Sequence, residues 1–209
     1  MKNLNPVVRL VDDDPDFRQS QRLLLMTLGM EVREYGSARE FLDDDDLERP
    51  GCIVLDLRMP GMTGMEVVEH LHAQKVLTPV ILLTGHGDIG AAVRAMKLGA
   101  VDFLEKKADP MVVYETVRAA CERSAADARE REAKARESKK FEALSPRERE
   151  VLELVAEGLS NREAAEKLGL SQEPVKMHRS HAYGKLGIKS ALEAFQWVKA
   201  EKEKETQGD

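Results

Sequence analysis

Five polar positions in this sequence stand where apolar runs end. Asp12 and Asp13 follow Val7-Val8-Arg9-Leu10-Val11, and Asp56 closes Cys52-Ile53-Val54-Leu55. Thr84 follows the run from Pro79 to Leu83, and Lys106 follows the run from Val101 to Glu105. Taken singly, each acid is explained as well by a turn cap. Gathered in one place, three carboxylates repel one another and call for a hard cation that favours oxygen ligands, Mg²⁺. A hydroxyl and an ammonium beside them would hold the oxygens of a transferred phosphoryl group. That set suits phosphoryl transfer onto a carboxylate, with Asp56 as the nucleophile.

The elements that must position these residues follow from the spacing. The run into Asp56 is broken by Pro60-Gly61, as expected of a buried parallel strand with its acid at the C-terminal end. Strand-like runs at residues 7–11, 31–35, 52–56, 79–83 and 101–105 alternate with helical patterns at about 15–28, 38–42, 64–72 and 89–98. Such alternation predicts a right-handed, doubly wound parallel sheet, in which strand ends converge on one rim where ligands bind. Asp43 to Asp46 is an acidic run expected to form a solvated loop.

From Pro110 to Lys140 there is no glycine and no further proline. Val112, Val113, Val117, Ala120 and Cys121 give the opening turns a single apolar face. Beyond Ser124 only a weak alanine stripe remains, which leaves a charged linker helix and a disordered linker both open. After Leu144 the pattern is helical only. Ser145-Pro146-Arg147-Glu148 is a capping box, and Ser160 and Ser171 stand at two further helix starts. A fourth helix is expected over 191–199 with Phe195 and Trp197 in the core, followed by a frayed tail over 201–209.

Composition sets outer bounds. The chain has 209 residues, 42% hydrophobic, 33% charged and 4% aromatic, with a net charge of -6. Residues 1–122 carry 14 basic and 21 acidic side chains, and residues 144–209 carry 11 and 12. Overall charge therefore does not announce a nucleic-acid binder. A local patch does: residues 171–189 hold Lys176, Arg179, Lys185 and Lys189 against Glu173 alone. On spacing alone, a DNA-reading helix and a charged surface helix stay equally open. No run approaches a membrane span, no signal-peptide pattern is present, and Cys52 and Cys121 lack metal-site spacing. Reduced thiols and a cytoplasmic location are expected.

The N-terminal stretch, about residues 4–122, resembles the receiver domain of two-component response regulators. The matching segments are Val11-Asp12-Asp13, Leu55-Asp56-Leu57-Arg58-Met59-Pro60-Gly61, Thr84-Gly85-His86-Gly87-Asp88 and Gly99 to Lys106. The resemblance implies a flavodoxin-like sheet of strand order 2-1-3-4-5. It implies phosphorylation of Asp56 by a sensor histidine kinase, and Mg²⁺ held by Asp12, Asp13, Asp56 and the backbone carbonyl of Arg58. Thr84 and Phe103 would be the switch pair, with Lys106 at the phosphoryl group. One departure is Lys107, where the family usually has proline. A cis bond to a non-proline costs about 3 kcal/mol, so a trans bond is expected, in a loop that fixes Lys106 less well.

The C-terminal stretch, about residues 143–200, resembles a LuxR-type helix-turn-helix. Leu144 to Leu152, Gly158 to Ala165, Val175-Lys176-Met177-His178-Arg179 and Lys185-Leu186-Gly187 carry that likeness. The combination resembles the FixJ-like class of transcription regulators. It implies double-stranded DNA and RNA polymerase as partners and a homodimer on phosphorylation. Lys176, Met177 and Ser180 would face bases, with Arg179 and Lys185 nearer phosphates. Pro174 and His181 depart from the threonine and asparagine common at those positions. The expected division is a receiver over 1–122, a helical charged linker over 123–142 and an all-α four-helix DNA-binding domain over 143–209.

Two other functions compete with this one. A phosphohydrolase with an aspartyl intermediate commonly needs an acid two residues after its nucleophile, and Arg58 there cannot be a general acid. A receiver-like regulator governed by a protein partner without phosphorylation is the remaining alternative, distinguished by indifference to Asp56→Asn.

Overall fold

Apolar residues at alternate positions of each strand supply both faces of one parallel sheet. In the computed structural model, which describes residues 5–43, 46–85 and 89–207, β1 (Val7–Val11), β2 (Glu31–Tyr35), β3 (Gly51–Asp56), β4 (Val80–Thr84) and β5 (Asp102–Glu105) pair in the order β2-β1-β3-β4-β5. Along β3, Ile53 and Leu55 pack with the residues of α2 (Ala38–Leu42), α3 (Gly64–Ala73) and α4 (Ile89–Lys97). Cys52 and Val54 pack on the opposite side with Leu25 of α1 (Pro15–Thr27) and with Val113, Val117 and Cys121 of α5 (Pro110–Glu142). The expected flavodoxin-like order is thus observed. Asp44, Asp45 and His86 to Asp88 lie outside the described residues.

Two glycines are required by close backbone approach. A Cβ on Gly51 would sit 1.9 Å from the carbonyl oxygen of Val7 on the neighbouring strand, and its φ of 149° also disfavours a side chain. A Cβ on Gly64, at the start of α3, would sit 2.3 Å from the carbonyl oxygen of Asp56. The Gly64 N–H donates to the Leu57 carbonyl at 3.0 Å, so α3 begins directly against the end of β3.

The chain divides into two compact units, residues 1–130 and 131–209, and α5 is one helix from Pro110 to Glu142. The charged stretch is therefore helical rather than disordered. Its Ala, Arg, Glu and Lys content favours helix, and a pair such as Arg136–Glu132 at 3.7 Å adds support. Val112 falls off the stripe formed by Val113, Val117, Ala120 and Cys121 and is exposed, contrary to expectation.

In the second unit α6 (Pro146–Ala156), α7 (Asn161–Leu168), α8 (Gln172–Leu186) and α9 (Ala191–Gln207) enclose a core that includes Val151, Leu152, Ala164, Val175, Ala182 and Ala194. Two sequence expectations fail here. Phe195 is 48% exposed, because the buried side of α9 is set by Ala194 and Val198, with Trp197 partly covered. The stretch from Glu201 to Gln207 continues α9 rather than fraying. It is rich in Glu and Lys, and Lys199 faces Glu203 at 3.8 Å. No helix among the described residues is long and apolar enough to cross a membrane.

Gly51→Ala tests the sheet's tolerance. It is expected to destabilise the first unit by about 2–4 kcal/mol, read from the shift in urea midpoint, because the clash is with backbone rather than a movable side chain.

Candidate functional site

Asp12, Asp56, Thr84 and Lys106 stand at, or one residue past, the C-terminal ends of β1, β3, β4 and β5. Asp12 lies one residue past β1, and its Oδ1 accepts from the Asp14 N–H at 2.9 Å. Asp56 ends β3 and accepts from the Arg58 N–H at 3.3 Å. Both are almost fully buried, at 1% and 5% exposure, whereas Asp13 is exposed. One carboxylate oxygen from each of Asp12, Asp13 and Asp56 lies within 4.8 Å of the others. Lys106, one residue past β5, reaches between two of them, with Nζ 2.7 Å from Asp12 Oδ2 and 2.9 Å from Asp56 Oδ2. Thr84 closes β4 and is buried, and its carbonyl accepts the Lys106 N–H at 2.7 Å. Phe103 pairs with Leu82 and is partly buried against the core.

The electrostatics follow from burial and from this one ammonium. Burial pushes the Asp12 carboxyl above the usual range, against the opposing pull of Lys106 and the Asp14 N–H, and the charge of Asp56 pushes it further. Burial disfavours the Lys106 cation, but the Asp12 and Asp56 carboxylates beside it more than offset this and hold its ammonium above the ordinary lysine range. Three carboxylates against one ammonium leave two negative charges, the complement of one divalent cation. Asp12 Oδ2 is buried, with Lys106 as an ion partner but no donor aligned for a hydrogen bond. An all-oxygen donor set with such an atom turned inward fits Mg²⁺.

Lys106 is thus held by two carboxylates although Lys107 follows it. The 106–107 bond is trans, as expected, and Lys107 is turned outward to Glu105 at 3.0 Å. Two residues that sequence reasoning missed complete the rim. The Phe17 ring lies 4.6 Å below the Lys106 ammonium, and Arg18 donates to the Asp12 carbonyl at 2.5 Å. The signal for both was the cap: Asp14 accepts from the N–H groups of Asp16 and Phe17, with Pro15 opening α1. That cap fixes the first turn of α1 beside the acids.

In the helical unit, α7, its turn at Gly169 (φ 65°) and α8 form a helix-turn-helix. Val175, Ala182 and Leu186 bury one side of α8, leaving Lys176, Met177 and Ser180 exposed together on the other. Arg179 is half-buried. It donates to Asn161 Oδ1 at 3.1 Å and lies 5.1 Å over the Tyr183 ring. Lys185 is engaged as well, 2.6 Å from Glu148 Oε2 and 3.1 Å from the Ala143 carbonyl. Ser171 is at the N-cap of α8 but makes no side-chain cap bond. The physical reason is Pro174, which stands at the third helical position and has no N–H to donate.

Glu148 joins these elements. It completes the capping box of α6 with Ser145, receives Lys185 from α8, and lies 3.9 Å from His181 Nδ1. Burial alone would push its carboxyl up; the bonds from Lys185 and the Ser145 N–H overcome this and hold it below the usual glutamate range.

Residues 8–118 match the profile of the response regulator receiver domain, and residues 142–198 match that of bacterial regulatory proteins of the luxR family. The transcriptional regulatory protein FixJ of Azorhizobium caulinodans is 42% identical over 186 residues, spanning 89% of this chain and 88% of that protein. Nodulation protein W of Bradyrhizobium diazoefficiens is 42% identical over 187 residues, spanning 88% and 81%. Among solved structures, the response regulator StyR superposes with a TM-score of 0.88 at 37% identity, covering 94% of this chain and 99% of that one.

A carboxyl titrating lower in the folded than the unfolded chain stabilises fully above the ordinary glutamate range and loses that effect as pH falls through its folded value. Glu148→Gln is therefore expected to cost about 1 kcal/mol at neutral pH, limited by screening at half-exposed Lys185, and nothing in acid. Urea unfolding followed by the fluorescence of Trp197, the one tryptophan, reads this at each pH.

Proposed function

The chain belongs to the two-component response regulators that join a receiver domain to a LuxR-family DNA-binding domain, and from that premise we propose that Asp56 is the phosphoryl acceptor controlling DNA binding by α8. The observation that carries this reading is Lys106 Nζ lying within 3 Å of both Asp12 and Asp56 at the strand-end rim. An Asp56 carboxylate oxygen forms a bond to phosphorus as the P–N bond to a sensor kinase's phosphohistidine breaks. Lys106 then pairs with a phosphoryl oxygen in place of the carboxylate it loses. Asp12, Asp13, Asp56 and the Arg58 carbonyl would hold Mg²⁺, which when bound supplies positive charge for the phosphoryl oxygens.

Phosphorylation adds about -1.5 to -2 charge at the rim. Thr84 is the switch hydroxyl, turning toward the phosphoryl group, and Phe103 follows inward behind it. The face from β4 to α5 then changes and a homodimer forms. Val93, Met96, Met111 and Val112 are exposed apolar residues on α4 and α5, and they support this surface. Paired helix-turn-helix units engage half-sites on double-stranded DNA about one helical turn apart. Lys176, Met177 and Ser180 face bases, and Arg179 and Lys185 lie nearer phosphates, where Lys185 also braces α8 against α6. RNA polymerase is the further partner at promoters, in the cytoplasm. The functional division is receiver over 1–122, linker over 123–142 and DNA-binding domain over 143–209. No catalytic turnover is assigned, since Arg58 stands where a hydrolase of this chemistry needs an acid.

Oligomeric state with and without a small phosphoryl donor and Mg²⁺ tests the acceptor. The wild type is expected to shift from monomer to dimer, chelation of Mg²⁺ to prevent the shift, and Asp56→Asn to abolish it; a monomer throughout would contradict the reading. Pro174→Thr restores an N–H and a hydroxyl at the third position of α8. It is expected to tighten DNA binding several-fold, about 1 kcal/mol, without changing the preferred site, as measured by titration of a labelled duplex. Unchanged affinity would show that the departure is neutral.

A further inference from the structure

The chain has two cysteines, 69 residues apart, and folding brings their sulfurs together. Cys52 is the second residue of β3, on the face covered by α5, and Cys121 lies in α5. Their Sγ atoms are 3.5 Å apart, close enough for one thiol to donate to the other. Neighbouring contacts hold helix and strand in that register. The Gly51 N–H donates to the buried Ser124 hydroxyl at 3.1 Å, and the Cys52 thiol faces the Val117 carbonyl at 4.0 Å.

The two sulfurs differ in access. Cys52 is fully enclosed. Cys121 is 5% exposed, and lines a surface cleft of about 340 Å³ together with Gly29, Met30, Arg118 and Glu122. A small solute entering the cleft meets Cys121 first. The two also differ in acidity, in the same sense. The Cys121 thiol is held below the usual range, chiefly because the Cys52 S–H can donate to its thiolate, with the buried Arg9 guanidinium adding to this against the effect of burial. The Cys52 thiol is held up by its bond with Cys121 and by burial. Reactivity follows the thiolate, and access selects Cys121 as the sulfur that meets an entering solute.

We propose that Cys52 and Cys121 form an oxidative modification site, a dithiol that hydrogen peroxide entering the cleft converts to a disulfide between β3 and α5. The Cys121 thiolate attacks one peroxide oxygen. An S–O bond forms, the O–O bond breaks, and the departing hydroxide takes a proton to become water. The Cys52 thiol then loses its proton and attacks the Cys121 sulfur of the resulting sulfenic acid. The S–S bond forms, the S–O bond breaks and a second water leaves. The two electrons given up by the thiols reduce one peroxide to two waters. The sulfurs must close from 3.5 Å to about 2.05 Å. In a reducing compartment such bridges are transient and redox-sensing rather than structural. This one would tie the strand that ends in Asp56 to the helix that leaves the receiver. The site stands independently of phosphorylation.

The test treats the reduced full-length protein with graded hydrogen peroxide, then denatures it, alkylates free thiols and maps the peptides by mass. Both thiols are expected to disappear together into one intramolecular cross-link, and dithiothreitol is expected to restore both. Cys52→Ser should leave a sulfenic acid at Cys121 that dimedone traps. Cys121→Ser should make Cys52 about tenfold slower to oxidise than in the wild type. The wild-type arm does not depend on either variant folding. Both thiols remaining alkylatable under peroxide that oxidises free glutathione in the same mixture would overturn the proposal. So would a cross-link only between chains, or Cys52 oxidising as fast without Cys121.

Discussion

The receiver unit depends on one ammonium placed between buried acids. Lys106 is the single cation touching both Asp12 and Asp56 among the described residues, and without it two carboxylates at 1% and 5% exposure would face each other with their charges unbalanced. The sheet order makes this possible. β1 and β3 are neighbours, so Asp12 and Asp56 emerge side by side, and β5 lies two strands from β3, a span that a lysine side chain bridges. The arrangement remains short of positive charge by two units. In the proposed function, a divalent cation held by these oxygens would offset that deficit. Phe17 beneath the ammonium and Arg18 on the Asp12 carbonyl border the acids.

The helical unit follows the same rule at lower cost. Glu148 is a covered carboxylate that gathers the start of α6, Lys185 of α8 and, more distantly, His181. Its partners fix how α8 lies on the core, and therefore which side chains α8 turns outward. Lys176, Met177 and Ser180 need no partner within the chain to take their places, since burial of Val175, Ala182 and Leu186 on the opposite side determines them. Arg179 and Lys185 both have intramolecular partners. Any contact they make to DNA must share or exchange those bonds, as phosphate contacts at the edge of a recognition helix can.

Much of this was legible in residue order. Alternating apolar runs gave the sheet, and an acid, hydroxyl or lysine at each strand end gave the rim, because a parallel sheet forces those ends together. Capping boxes at Ser145 and Ser160 marked helix starts that depend only on local hydrogen bonds. What escaped were effects of tertiary placement. Phe195 looked like core by type, but one position along α9 separates it from Ala194, and a helix face is narrow. Lys107 looked like a weakness for Lys106, which here lies within 3 Å of two carboxylates. The contact of Cys52 with Cys121 spans 69 residues and leaves no trace in spacing. Ser171 carried a valid cap signal that Pro174, three residues later, cancelled.

In the proposed function, the charge at Asp56 governs what α8 binds. Protection of genomic DNA by the wild-type protein and by Asp56→Asn, each with and without a phosphoryl donor, measures it most directly. Donor-dependent protection at paired half-sites is expected in the wild type and none in the variant. Equal protection of the same sites by both proteins, donor or no donor, would contradict it.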